Sequence, residues 1–86
     1  MIAEIMVRMH PIFENRYDDL DLLVEALLAD DMAQANQVMS CDGIGRSIGA
    51  EIKRVMKDHK CSPDDAVVYV TNALRLLRDK MNEERR

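Results

Sequence analysis

Apolar residues recur at helical spacing along most of the chain, in segments separated by short polar or glycine-bearing breaks. The best defined segment lies in the C-terminal third. Val67, Val70, Leu74, Leu77 and Met81 follow a 3-4-3-4 rhythm along one seam, widened by Ala66, Tyr69, Ala73 and Leu76, while Asp65, Asn72, Arg75 and Asp79 face away. Its start carries several agreeing signals. Ser62 suits the N-cap, Pro63 fits the first helical position where its missing N–H costs nothing, and Asp64 and Asp65 set negative charge over the positive end of the dipole. Asp65 follows Ser62 at the spacing of a shortened capping box, and Cys61 can pack on Ala66 as a weak hydrophobic staple.

Upstream, Ile2, Ile5, Met6, Met9, Ile12 and Phe13 predict a first helix, with Pro11 expected to kink or break it near Met9. Asp18 or Asp19 is expected to cap the next helix, with Asp21 in its first turn. Leu20, Leu22, Leu23, Val24, Ala26, Leu27 and Leu28 then follow too densely for one narrow stripe. That density predicts a helix buried on two sides, within a bundle or against a second copy. At Ala29-Asp30-Asp31 the rhythm stumbles, and either one long helix with a polar ridge or a break capped by Asp31 fits the pattern. Ser40 to Gly45 is clear punctuation: Gly43 suits a left-handed stop, and Asp42 or Ser47 suits the cap of the following helix. That helix carries Ile44, Ile48, Ile52, Val55, Met56 and His59 on one side and a basic ridge of Arg46, Lys53, Arg54 and Lys57 on the other. The short connection from Asp58 to Ser62 makes it an antiparallel neighbour of the last helix. The expected fold is all-α, a small bundle of four to five short helices ending in an antiparallel pair, with one domain over 1–82 and a frayed charged tail over 83–86.

Composition sharpens this picture. The chain of 86 residues is 48% hydrophobic but only 3% aromatic, so its core must come from aliphatic side chains and methionine. Few aromatics also leave few platforms for stacking bases. The seven methionines suit irregular core gaps first and adaptable binding surfaces second. No apolar run is long enough to span a membrane, and Glu4, Arg8 and His10 interrupt what would be a signal peptide, so the cytosol is the expected compartment. In that compartment Cys41 and Cys61 are expected to be free thiols used as small apolar residues. The net charge of −4 is split unevenly: residues 1–42 hold nine carboxylates against two arginines, residues 43–86 seven against ten basic groups. Oppositely charged helices can face each other within the fold, or present charged faces to a partner.

The raw material for bond-making chemistry is thin. His10 and His59 are isolated, and Glu51 lies two turns from His59, too far to share a metal. Cys41, His59 and Cys61 lack the spacing of a metal site. Gly43-Ile-Gly-Arg-Ser-Ile-Gly49 has neither the Walker pattern nor a preceding strand, so helix termination and close helix approach account for its glycines better than a phosphate does. No catalytic residue, metal or cofactor is expected. By elimination the function expected is that of a small non-enzymatic protein-binding regulator: an adaptor, a chaperone or an inhibitor of a larger assembly, including anti-CRISPR-type inhibitors from mobile elements. Its contact surfaces would be the acidic group Asp18, Asp19, Asp21 and Glu25 and the basic ridge Arg46, Lys53, Arg54 and Lys57. A homodimer is a further expectation, which sedimentation over a range of concentrations would test. The alternative is a helix-turn-helix-like DNA regulator using the ridge and Lys60 on phosphates, opposed by the acidic charge and by Asp64 and Asp65 at the start of its recognition helix.

Overall fold

Ser62 and Pro63 start the longest helix as the sequence predicts. In the computed structural model, which describes residues 2–41 and 43–85, the Ser62 hydroxyl accepts the Asp65 N–H at 3.2 Å and opens a helix over Pro63–Glu84. Among the described residues it is the fifth of five: α1 (Ile2–Phe13), α2 (Tyr17–Leu28), α3 (Met32–Met39), α4 (Ile44–His59) and α5. The described residues form no strand. α5 packs on α1, α2 and α4 at once, burying Ala66, Val70, Ala73, Leu74, Leu77 and Met81, whereas Val67, first in the predicted seam, is only half-buried. Thr71 is buried with them, its hydroxyl donating to the Val67 carbonyl at 2.7 Å. Leu76 does not widen the seam but stands 41% exposed on the solvent side. The helix also runs through Glu83 and Glu84, two residues into the segment read as a tail.

Pro11 does not end α1. It sits inside the last turn, so it forgoes one bond, to the Val7 carbonyl, where Pro11 and Val7 are both exposed and water can take the acceptor. Phe13, fully buried two residues later, holds that turn on the core. α2 likewise starts earlier than Asp18 or Asp19 would set it. Its N-cap is Arg16, with no side-chain cap, and the two aspartates lie in the first turn, where their charge favours the dipole. Tyr17, packed on the core, fixes this start through tertiary contact where local capping does not. Asp21 falls one residue beyond the first-turn position expected of it.

Between α2 and α3 the break is real. Asp30 takes a left-handed φ of 56°, and the Asp31 carboxylate accepts the Gln34 N–H at 3.2 Å as the cap of α3. Gly43 is left-handed at φ 79° and leads into α4. Ser47 lies inside α4, its N–H bonded to the Gly43 carbonyl, and is no cap; the other proposed cap, Asp42, lies outside the described residues. Gly45 answers to packing. A Cβ there would stand 2.7 Å from the Met39 carbonyl oxygen, whereas one at Gly49 would meet nothing within 4 Å. Gly45→Ala is therefore expected to cost about 1–3 kcal/mol by forcing α3 and α4 apart. Gly49→Ala should stabilise by up to about 1 kcal/mol through helix propensity, so urea midpoints of the two variants should move in opposite directions.

The core gathers Ile5, Met9, Phe13, Leu20, Leu23, Val24, Ile44, Ile48 and Val55 beneath α5. A radius of gyration of 12.0 Å equals the value of about 12 Å expected for a folded chain of this length. The dense run in α2 is only partly spent on that core, since Leu22 and Leu28 are 48% and 52% exposed. Cys61 is half-buried against the core, but Cys41 is exposed and serves no apolar packing. No helix of the described residues is long and apolar enough to cross a membrane.

Candidate protein-binding surfaces

α4 is built to show one face. Ile44, Ile48, Glu51 and Val55 recur at 4-3-4 spacing and turn inward, which leaves Arg46, Lys53, Arg54 and Lys57 exposed on the other side as the sequence predicts. From Arg46 to Lys57 the ridge runs about 16 Å along the helix axis. Arg46, Lys53 and Lys57 make no ion pair with any described residue. Arg54 is different, because its guanidinium donates to Glu51 at 2.7 Å, although half of its side chain stays in solvent.

Glu51 is the polar residue that sequence reasoning missed. Its carboxylate is buried, and Arg8 of α1 donates through Nε to both oxygens at 2.6 and 3.0 Å. Burial pushes this carboxyl up, but the hydrogen bonds from Arg8 and Arg54 more than offset it and hold it below the ordinary glutamate range. A signal for its burial existed, since the stripe of Ile44, Ile48 and Val55 passes through position 51. Nothing local pointed to Arg8, which is 43 residues away.

The acidic group does not form one free face. Asp21 and Glu25 both receive Nη1 of Arg78, at 3.4 and 2.7 Å, so these two carboxylates are shared with α5. Arg78 also reaches its neighbour Asp79 at 3.3 Å through Nε. At the other end of the same seam the Arg85 guanidinium lies over the Tyr17 ring, 4.4 Å from its centroid. Moving from Tyr17 to Glu25 on α2 thus corresponds to moving back from Arg85 to Arg78 on α5, which makes the two helices antiparallel. Asp18 and Asp19, between these contacts, are not engaged by Arg78 and line an open cleft of about 610 Å³ between the α1–α2 turn and the end of α5.

The histidines do not meet. His10 borders that cleft, whereas the His59 ring packs near Tyr69 with centroids 5.1 Å apart. Among the described residues no group of three or more histidine, cysteine or acidic side chains is arranged to hold a metal ion. The glycine-bearing stretch is accounted for at two positions, a left-handed turn at Gly43 and a close approach at Gly45; nothing in the structure explains Gly49. Compared with protein-family models, curated proteins and solved structures, the chain matches none.

Proposed function

We propose that this chain is a non-enzymatic regulator that acts by occupying the surface of a larger protein, with the α4 ridge as the principal contact. One observation carries the reading: Arg46, Lys53 and Lys57 stand exposed on a helix whose other face is buried, without ion partners among the described residues, while Asp21 and Glu25 are already engaged by Arg78. Charges compensated inside the fold have less to give a partner. Uncompensated charges on one helix face speed encounter with an acidic surface and select its orientation.

The test is the double reversal Lys53→Glu with Lys57→Glu. Arg54 is spared because it also holds Glu51. The complex captured from host extract by the full chain is expected to weaken about tenfold or more, as attraction is turned to repulsion, with the helical circular dichroism unchanged. Full retention of the captured partner would remove the ridge from the interface. The same variants separate the DNA alternative: retardation of duplex that falls steeply with added salt, and disappears on reversal, would mark phosphates as the ligand.

A further inference from the structure

On a helix the surface neighbours of a residue stand three and four positions away, about 5–6 Å off between Cβ atoms. For Ala50 of α4 these are Arg46, Ser47, Lys53 and Arg54, which set three cations and a hydroxyl around one exposed methyl group. Gly49 widens that bare floor, since even a Cβ there would meet nothing within 4 Å. Arg46 and Lys53 make no ion pair with any described residue. Arg54 is oriented rather than loose. Glu51 holds its guanidinium through Nη1, and Arg8 fixes Glu51 in turn, while half of the Arg54 side chain stays in solvent. The one carboxylate beside the methyl in sequence, Glu51, is therefore turned inward and already occupied.

Taking the ridge as the principal contact, we propose that the gap over Ala50 receives a carboxylate from an acidic segment of the partner and is the anchoring point of that contact. Charge and shape select this occupant. Arg46 and Arg54 stand about one turn to either side of the methyl, and a guanidinium offers a planar fork that matches a carboxylate edge on. Lys53 adds a point charge that draws the anion in. The net charge of −4 on the whole chain opposes an extended polyanion such as nucleic acid, whose phosphates spread beyond the ridge, but costs a single carboxylate little. The short side chain matters as much as the cations. It leaves an incoming carboxylate room to reach all three, whereas a longer residue at this position would occupy the gap itself.

The experiment fills the gap from within. Glutamate and glutamine have similar helix propensity, so Ala50→Glu and Ala50→Gln differ mainly in one charge placed among Arg46, Lys53 and Arg54. The folding equilibrium of Ala50→Glu is expected to exceed that of Ala50→Gln about three- to tenfold, read from urea midpoints, with the difference shrinking as salt is added. A second arm titrates the full chain with a blocked peptide of glutamates spaced by glycines, with its glutamine counterpart and with inorganic phosphate, followed by NMR. Saturable binding of the glutamate peptide is expected, with shifts centred on Ala50 and on the Arg46 and Arg54 side chains. Ala50→Glu should weaken it about fivefold or more, and Ala50→Gln less. Equal midpoints for the two variants, equal binding of the glutamine peptide, tighter binding of phosphate, or shifts centred on Lys60 or Lys80 would each overturn the assignment. Release of the captured partner by the Lys53 and Lys57 reversal but not by Ala50→Glu would remove the gap and leave the ridge. Retention of that partner by both variants would remove the ridge as the contact, with the midpoint difference and the peptide still reporting on the gap.

Discussion

Truncating Phe13 to alanine is expected to cost about 3–5 kcal/mol, the largest loss for any single side chain here. Phe13 is the sole phenylalanine, is fully buried, and ends α1 against the core. Its removal takes away both the transfer energy of the ring and the contacts of the walls around it, and a core of aliphatic side chains cannot close such a gap without backbone movement. A domain of this size has a total stability of about 4–13 kcal/mol, so the variant should be partly unfolded at physiological temperature. Its position adds a second effect. With Pro11 already depriving the last turn of one bond, burial of Phe13 is expected to hold that turn on the core. Chemical denaturation should give a much lower midpoint, with loss of helicity reaching α1. A loss under about 1 kcal/mol would mean the ring is not buried as described.

The second large effect is an asymmetry. Replacing Arg8 by methionine is expected to cost about 2–4 kcal/mol, whereas replacing Glu51 by methionine should cost no more than about 1 kcal/mol. The first change leaves a carboxylate of 2% side-chain exposure with Arg54 alone. The second leaves two arginines whose side chains are 36% and 53% exposed and can turn their charged ends to water. The figure for Arg8 lies below the top of the range for buried pairs because solvent reaches both guanidiniums. Because the folded-state value for Glu51 lies below the unfolded one, its contribution is complete above about pH 4.3 and is lost as pH falls through the lower, folded value. Urea midpoints should therefore drop on acidification below about pH 4, and Glu51→Gln should flatten that part of the profile. Equal losses for Arg8→Met and Glu51→Met would place the carboxylate in water.

What the sequence made legible was whatever short-range chemistry decides. Ser62-Pro63-Asp64-Asp65 sets the start of α5 through a cap, a ring and a dipole, all within four residues, and the structure begins the helix there. The inward stripe of Ile44, Ile48 and Val55 on α4 and its basic back follow from spacing alone, but His59, which the same spacing places on the inward side, is exposed. The start of α2 was not legible, because Tyr17 packing on the core outweighs the capping preference of Asp18 and Asp19. Pro11 misleads for a related reason: the lost bond is offset by burial of Phe13, which no local rule records. The candidate surfaces divide in the same way. The ridge could be drawn from one helix, but the engagement of Asp21 and Glu25 by Arg78, and of Glu51 by Arg8, joins residues more than forty positions apart.

The reach of α5 across α1, α2 and α4 fixes an order of events during synthesis. Until residues 63–84 have left the ribosome, the earlier helices can pack only on one another, as α2 does on α3, and a nascent chain lacks the helix that joins α1, α2 and α4 over one core. The complete core therefore needs α5, so translation pauses before Ser62 are expected to prolong the interval in which stray association competes with folding.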